Sequence, residues 1–412
     1  MAETQTLILY FSLFISLFFE VFLLITYLEA REELKTEEDY LARGLKLFPA
    51  LTVIVPCFNE EKTVAKTIKS ILDLDYPKDK ISIIAVNDGS TDKTLEVLRQ
   101  FPQIAVLSKE NGGKHTALNL ALEHVTTDLV GCLDADSFVL PDTLKKIIPF
   151  FEDEKIMAVT PSIRVHEPKN ILQYIQRVEY SWGIFLRRML SSLNAMYVTP
   201  GPFSIFRTTV FRELGGYRAA YQTEDLEIAL RMQKNRYKIV NSHGAHVYTI
   251  APAKFKPLLK QRVRWSYGFL NNVIDYREML LNPKYGHVGM FILPLGTMSI
   301  FSTLYMTSHI VWSWMSSIFN KIVKFEAIGL STKFHMPHFD WYFLNTGVIS
   351  VLTITAVIFT VIILYLALKL ADGKFKFKKE ILYYLFIYPF MVPFWLVKVL
   401  FDTAFRRKVS WR

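Results

Sequence analysis

Four short motifs carry the side chains of this sequence that could do chemistry. They are VNDGSTD around Asp88, LDADS with Asp134 and Asp136, TED ending at Asp225, and QRVRW at residues 261–265. An Asp-x-Asp after an apolar strand supplies hard oxygen ligands, which Mg²⁺ and Mn²⁺ prefer. Such a metal takes up the charge that develops on a diphosphate leaving group. Together the motifs predict a site that holds a nucleotide diphosphate through a metal and deprotonates an incoming hydroxyl group.

Three of these motifs also have a plain structural interpretation. Asp88 could accept hydrogen bonds from a uracil or ribose, or form an Asx-turn that caps the helix starting near Thr91, and both can hold at once. DAD alone would be a solvated turn, and TED alone would be the acidic first turn of a helix. For Asp225, capping explains the composition as well as general-base catalysis does. The presence of the other motifs in the same sequence favours the catalytic interpretation of Asp225.

The QRVRW motif lies where cationic and aromatic residues interleave on a helix-like stretch before an apolar segment. The plain interpretation is an amphipathic helix at a membrane surface, with Lys and Arg near lipid headgroups. The functional interpretation places Arg264 on the diphosphate and Trp265 under a sugar ring, because Arg pairs with phosphate oxygens and aromatic faces stack on sugars. The two interpretations are compatible. A separate turn, NGGK, ends at Lys114 and offers a cation for the base or phosphate, although its spacing is not that of a P-loop.

Strands and helices alternate over residues 52–282, and they must position these motifs. Buried strand patterns end near Pro56 and Asp88, and each is followed by a helical pattern. This alternation is typical of a parallel sheet covered by helices. Ligands bind beyond the carboxyl ends of such strands, which is where Asn59, Asp88 and the Asp134/Asp136 pair fall.

The composition of the 412-residue chain places part of it in lipid. The chain is 51% hydrophobic and 14% aromatic, which is too apolar for ordinary soluble domains alone. Its net charge of +10 suits nucleic acid, an anionic membrane surface or an anionic substrate. The sequence shows no nucleic-acid recognition motif, so we expect no nucleic-acid partner. Cys57 and Cys132 fall in apolar runs, and we expect small core residues there rather than a disulfide.

Apolar runs at both ends of the chain predict membrane spans. An uncleaved anchor over residues 7–27 is followed by Arg31, Lys35 and Arg43, which by the positive-inside rule place the N-terminus outside and the next domain in the cytoplasm. We expect Glu20, inside this anchor, to face a neighbouring helix rather than to serve transport. Three more runs occupy residues 288–318, 341–370 and 381–401.

The number of crossings stays open at the level of sequence. Three later spans leave Arg406, Arg407 and Lys408 outside, which the positive-inside rule disfavours. Either Pro389 and Pro393 make the last run a broken or re-entrant hairpin, or an earlier run holds an extra crossing.

With these motifs the sequence resembles the processive membrane glycosyltransferases of family 2, which include cellulose, chitin and hyaluronan synthases. One anchor before the catalytic domain and a few spans after it make it most similar to the bacterial poly-β-1,6-N-acetylglucosamine synthases. The resemblance covers residues 52–282 and the membrane layout. It implies an α/β GT-A (Rossmann-like) cytoplasmic domain at 50–282, an N-terminal transmembrane anchor at 1–30 and an α-helical transmembrane region at 283–412. The whole would be a multi-pass protein of the plasma membrane.

The resemblance also implies a reaction and a set of roles. The reaction is an inverting transfer from a UDP-sugar, with UDP-N-acetylglucosamine expected, onto a growing polysaccharide at the lipid bilayer. A small accessory membrane protein could be a further partner. Carried over by motif, the general base is Asp225, the ligands of Mg²⁺ or Mn²⁺ and the diphosphate are Asp134 and Asp136, the uridine contact is Asp88, the diphosphate and acceptor end is Gln261, Arg264 and Trp265, and the nucleotide-binding strand ends are Asn59, Glu60 and Lys114.

One further stretch and two rival functions complete the interpretation. VTPGPFSIFR at residues 198–207 resembles the acceptor-side loop of these enzymes, but Thr199-Pro200 before Gly201 departs from it. The rival within enzymes is a non-processive transfer of one sugar to a polyprenyl-phosphate carrier. The rival from another class is a transporter whose cytoplasmic domain merely binds nucleotide.

Overall fold

The computed structural model describes residues 2–31, 48–328 and 347–405. Helices and strands alternate through its central part, as the sequence predicted. The elements up to residue 192 are α1 (Ala2–Glu29), β1 (Leu51–Cys57), α2 (Val64–Leu72), β2 (Ile81–Asp88), α3 (Thr94–Leu98), β3 (Ala105–Lys109), α4 (Lys114–Leu122), β4 (Leu129–Cys132), β5 (Ser137–Val139), α5 (Thr143–Ile147), β6 (Ile156–Val165) and α6 (Ile171–Ser192). The later elements are β7 (Ser204–Arg207), α7 (Thr209–Leu214), α8 (Glu224–Lys234), β8 (Lys238–Thr249), α9 (Phe255–Asp275), α10 (Leu293–Ile328), α11 (Val348–Asp372) and α12 (Lys379–Ala404).

The eight strands form one mixed sheet in the order β3-β2-β1-β4-β7-β6-β8-β5. The first four strands are parallel, as expected from the strand and helix alternation. The second half differs, because β7 runs antiparallel to both β4 and β6, and β5 runs antiparallel to β8. The carboxyl ends of β1, β2 and β4 therefore share one edge, where the predicted aspartates lie.

Strand β1 shows how the apolar pattern builds the core. Six of its seven residues are buried, and Val64, Ile68 and Ile71 on one face of α2 pack into the same core cluster. The strand predicted to end near Pro56 ends one residue later, at Cys57, so Pro56 lies inside β1 opposite Val86. Proline is tolerated there because β4 pairs with β1 only up to Ile54, so no β4 carbonyl awaits its missing N–H.

The two cysteines confirm their predicted role as small core residues. Cys57 and Cys132 are buried free thiols at the ends of β1 and β4. Burial raises the pKa of both thiols well above the ordinary value, so they remain protonated.

Four described helices are long and apolar enough to cross a membrane: Thr6–Glu29, Val288–Lys324, Val348–Asp372 and Lys379–Ala404. Pro389 and Pro393 lie inside α12, which is one helix, so the broken or re-entrant hairpin is wrong. Membrane helices accept proline where neighbouring groups compensate for the lost hydrogen bond. The basic residues used to orient the chain, Lys35, Arg43, Arg406, Arg407 and Lys408, and the start of the run at Trp341 lie outside the described residues.

The chain divides into two compact units, Met1–Leu24 with Leu295–Ile363 and Ile25–Pro294 with Leu364–Arg412. Within the first unit, Thr360 Oγ1 of α11 donates a hydrogen bond to Glu20 Oε1 of α1 at 2.5 Å. Glu20 thus faces a neighbouring helix, as expected. The second unit contains the sheet and α12.

Candidate active site

Lys114, the first residue of α4, joins two of the predicted motifs. Its Nζ lies 2.6 Å from Asp134 Oδ1 in LDADS and 3.0 Å from Glu224 Oε1 in TED. Burial disfavours the ammonium, but the two carboxylates outweigh it and raise the pKa of Lys114 well above its usual value. One permanently charged lysine therefore holds the two acidic motifs together. The sequence pointed to Asp225 and missed Glu224, which makes this contact.

The segment between α6 and β7 closes on that ion pair. A methyl group on Gly201 would lie 2.6 Å from Lys114 Nζ and 2.9 Å from both carboxylate oxygens of Asp134, so the approach needs glycine. Two residues earlier, Thr199 donates from its amide at 3.1 Å and from its hydroxyl at 2.9 Å to the main-chain oxygen of Asp225. The unexplained Thr199-Pro200 thus ties this segment to TED.

Asp225 is the second residue of α8. Its Oδ1 accepts a hydrogen bond from the amide of the next residue, Leu226, at 2.9 Å, whereas the N-cap of α8 is Thr223, which makes no side-chain cap bond. Burial and the charge of Glu224 raise the pKa of Asp225 to about 6, although Lys114 and Arg264 oppose the rise. The pKa of Glu224 is lowered: burial acts against this, and Lys114 outweighs it. The pKa values of these two neighbouring carboxyl groups thus move in opposite directions, and that of Asp225 suits a base near neutral pH.

Asp134 and Asp136 fit a divalent cation. Burial, followed by the charges of Asp134 and Glu60, raises the pKa of Asp136 to about 7. A cation would relieve this repulsion between hard oxygen donors. Among the described residues no cluster of three or more His, Cys, Asp or Glu side chains could hold a metal ion. Mg²⁺ in nucleotide sites is often held by one or two carboxylates together with phosphates and water, so a pair is sufficient.

Asp88 is the last residue of β2, and its buried carboxylate is engaged within the protein. It accepts hydrogen bonds from the amides of Gly112 and Gly113, at 3.0 and 2.9 Å, and from Lys109 Nζ at 2.8 Å. The Asx-turn cap predicted for Asp88 is wrong, because the amide of Thr91 donates to Asn59 instead. Asp88 therefore fixes the NGGK turn that leads into Lys114, and its contact with uridine stays a prediction.

Asn59 and Glu60 shape the turn that follows β1. Asn59 has a left-handed backbone with φ of 57°, which asparagine tolerates. Its main-chain N–H donates a hydrogen bond to Ser90 Oγ at 3.0 Å. The amide of Glu60 donates to Thr94 Oγ1 at 2.7 Å. The charge of Glu60 raises the pKa of Asp136, which places this side chain on the side of the aspartate pair. Nucleotide contacts by either residue stay predictions.

The QRVRW motif lies on α9, as predicted, and Arg264 faces TED. Arg264 NH1 donates to the main-chain oxygen of Gln222 at 2.9 Å, and its charge lowers the pKa of both Glu224 and Asp225 against the effect of burial. Trp265 is 37% exposed. Gln261 Oε1 is buried and accepts no hydrogen bond from the described residues. The diphosphate and sugar contacts of these three side chains stay predictions.

Arg262, the first arginine of QRVRW, has a structural role that the sequence did not reveal. Its NH2 lies 2.6 Å from Glu179 Oε2 on α6, and the other Glu179 oxygen accepts a hydrogen bond from the hydroxyl of Tyr388 on α12 at 2.7 Å. Its guanidinium also stacks on Trp265, 4.3 Å from the ring centre. Arg262 thus fixes α9 to α6, and Glu179 links this pair to the apolar helix α12. Its partner is 83 residues away, so no local pattern could identify it.

Comparison with known proteins agrees with this geometry. Residues 52–215 match the model of "Glycosyl transferase family 2". Over these residues the chain is similar to the family 2 glycosyltransferases. The poly-beta-1,6-N-acetyl-D-glucosamine synthase of Staphylococcus aureus strain COL is 31% identical over 269 residues, which cover 63% of this chain and 64% of that protein. The synthase of Staphylococcus epidermidis is 32% identical over 224 residues, covering 53% and 54%. The chain thus spans less than two thirds of the length of these relatives.

A solved structure shows that the chain has the GT-A fold. The mannosyltransferase PcManGT from Pyrobaculum calidifontis, solved with GDP-Man and Mn²⁺, superposes with a TM-score of 0.57 at 18% identity and covers 94% of this chain and 99% of its own. The α/β GT-A architecture with apolar helices at both ends is therefore confirmed. The match to the family model includes Asp88, Lys114, Asp134 and Asp136 but ends before Asp225.

Proposed function

We propose that this protein is an inverting, processive glycosyltransferase that polymerises N-acetylglucosamine from UDP-N-acetylglucosamine into a β-linked polysaccharide and helps to export it. The observation that carries the proposal is the bridge from Lys114 to both Asp134 and Glu224, because it assembles LDADS and TED into one site. The family 2 domain supports a sugar transfer. The named activity of the staphylococcal relatives supports the sugar and the polymer.

The membrane layout belongs to the same proposal. Residues 1–30 would be the anchor, residues 50–282 the cytoplasmic catalytic domain, and residues 283–412 the transmembrane region of a plasma-membrane protein. Four apolar helices of sufficient length support it. The contact of α9 with α12 supports a catalytic domain at the bilayer surface, where a growing chain could pass directly into the membrane region.

On the donor side, Asp134 and Asp136 would hold Mg²⁺ or Mn²⁺ and the diphosphate. The ion, when bound, would offset the charge that develops on the departing diphosphate. Lys114 fixes one carboxylate oxygen of Asp134 and keeps that side chain aimed at the site. Arg264 adds positive charge near TED.

On the acceptor side, Asp225 would act as the general base. In a single inverting displacement, an acceptor hydroxyl oxygen forms the new bond to the anomeric carbon while the bond to the diphosphate breaks, and the hydroxyl proton passes to Asp225. A pKa of about 6 leaves Asp225 ionised at neutral pH and still able to accept a proton. Thr199 holds the backbone of Asp225 in place.

The test is product analysis with radiolabelled UDP-sugars in membranes, comparing the wild type with Asp225→Asn. Asparagine keeps the size of the side chain and can still accept from the amide of Leu226, so folding should be unchanged. We expect a loss of transfer on the order of 10²-fold or more with UDP binding retained.

Each other outcome of this experiment has a definite meaning. Near wild-type transfer by Asp225→Asn would contradict the assignment of the base. A single labelled sugar on a lipid carrier would contradict the polymerase and favour the non-processive transferase. Label from UDP-glucose alone would overturn the choice of sugar, and no transfer from any UDP-sugar would favour the transporter.

A further inference from the structure

Arg187 on α6 carries a buried charge that no described residue neutralises. Its Nε and NH2 atoms are buried and make no hydrogen bond within the described part of the chain. The ionisable groups that act on it are two phenols, Tyr180 and Tyr197. Burial lowers the pKa of Arg187 to about 10, so it stays charged at neutral pH. A buried charge without a partner is unfavourable, so Arg187 needs an anionic partner beyond the residues that the structure describes.

Arg187 lies on the catalytic side of the molecule. Tyr197 is two residues before Thr199, which binds the backbone of Asp225, and four before Gly201, which touches Asp134. The ring of Tyr197 also meets Phe269 of α9, with 5.8 Å between ring centres. Arg187 lies five residues before Ser192, the last residue of α6, after which the chain runs on to Tyr197 and Gly201. The residue as a whole is only half-buried.

The other basic side chains around the site already face carboxylates. Lys109 pairs with Asp88, Lys114 with Asp134 and Glu224, and Arg262 with Glu179, while the charge of Arg264 acts to lower the pKa of Glu224 and of Asp225. A nucleotide diphosphate brings negative charge into this acidic site and needs positive charge in return. Arg187 is suited to supply it, since its two buried nitrogens are not engaged by the described residues.

We propose that Arg187 binds a phosphate oxygen of the nucleotide diphosphate, with the hydroxyl groups of Tyr180 and Tyr197 beside it. The inference rests on the proposed function and adds a binding residue to it. A guanidinium presents a rigid fork of donors that matches two phosphate oxygens, which a lysine cannot reproduce. A phospholipid headgroup offers the same phosphate chemistry, because α6 also packs on the apolar helix α12 through Glu179 and Tyr388.

The experiment measures binding of UDP with Mg²⁺ to the purified full chain by calorimetry, and thermal unfolding with and without that ligand. Arg187→Met should weaken UDP binding by about 10- to 100-fold, and Arg187→Lys should be intermediate. Without ligand, Arg187→Met should unfold at the wild-type temperature or above it, because an unpaired buried charge has been removed. Arg99→Gln, at an exposed position after α3, removes the same charge and should change nothing.

Three results would overturn the inference, and they differ from a failure of the proposed function. Unchanged UDP affinity in Arg187→Met would show that Arg187 does not contact the diphosphate. A lowered unfolding temperature with unchanged affinity makes Arg187 structural. A stabilisation by phosphatidylglycerol nanodiscs that Arg187→Met loses, with UDP binding intact, assigns the phosphate to lipid. If the wild type itself binds no UDP, the proposed function is wrong.

Discussion

The contact of Gly201 with the ion pair leads to a sharp prediction, the effect of Gly201→Ala. The added methyl carbon would lie 2.9 Å from both oxygens of Asp134 and 2.6 Å from Lys114 Nζ. Ordinary contacts to such a carbon begin at 3.4 Å. The Asp134 carboxylate must therefore move by roughly 0.5 Å or more, because the carbon and oxygen cannot overlap.

A shift of that size matters more to a metal than to the fold. Overpacking by one methyl group costs about 1–3 kcal/mol of folding free energy, and less where the displaced atoms end side chains that can move, as here. A divalent ion tolerates only about 0.2 Å in its ligand distances. A mutation that disturbs the groups holding a metal-ligating side chain in place typically weakens metal binding by about 10- to 100-fold. We therefore expect a folded enzyme whose transfer needs about 10- to 100-fold more Mg²⁺ or Mn²⁺.

The assay is a titration of Mg²⁺ and of Mn²⁺ against sugar transfer, after chelation, in wild-type and Gly201→Ala membranes. Gly131→Ala is the matched control, since its methyl group would meet Ile205 Cγ1 at 3.3 Å, inside the sheet and not at a carboxylate. The control should lose stability without any change in metal requirement. An identical metal titration for Gly201→Ala and wild type, or full transfer in excess chelator, would refute the reasoning.

Two other predictions concern pH and the α6–α9 contact. Transfer should fall about tenfold per pH unit below pH 6, since Asp225 must be ionised to act; a flat profile down to pH 5 would contradict this. Folding raises the pKa of Asp225 from 3.8 to about 6, so the folded protein holds this proton more tightly than the unfolded chain. The contribution of Asp225 to stability therefore falls as the pH rises from 3.8 to about 6. At pH 7.5 the unfolding temperature of Asp225→Asn should be no lower than that of the wild type. Arg262→Met should cost about 3–5 kcal/mol in unfolding free energy by stranding Glu179, and Arg262→Met with Glu179→Leu should recover most of it; equal losses in the single and double variants would contradict the pairing.

The parts of the fold that local patterns control could be predicted from the sequence. The run of β1 and the Val64, Ile68 and Ile71 face of α2 follow from periodicity over a few residues, and both are observed. The mixed half of the sheet could not be predicted in this way. Strand β7 inserts antiparallel between β4 and β6, and β6 pairs in parallel with β8, by contacts between distant parts of the chain.

The same distinction between local patterns and contacts of distant residues applies to the candidate site. Asp134, Asp136 and Asp225 could be proposed from the sequence because their motifs are short and contiguous, and their roles stay predictions. The bridge through Lys114 to Glu224 joins positions 110 residues apart, and Arg262 finds Glu179 across 83 residues. Asp88 shows a different limit, because its environment predicted a turn but could not reveal that the amides of Gly112 and Gly113 would use its carboxylate.

The segment between α6 and β7 couples the two halves of the proposed reaction. Gln233 of α8 donates to the oxygen of Met196 at 2.9 Å, Thr199 binds the backbone of Asp225, and the amide of Phe203 donates to the oxygen of Cys132 at the end of β4. These contacts fix one stretch of backbone to α8, which carries Asp225, and to the end of β4, which Asp134 and Asp136 follow. Between those anchors, Gly201 lies against Asp134. The spacing between Asp225, the proposed base, and Asp134, a proposed metal ligand, is therefore set by this segment, which explains why a methyl group there should disturb catalysis more than folding.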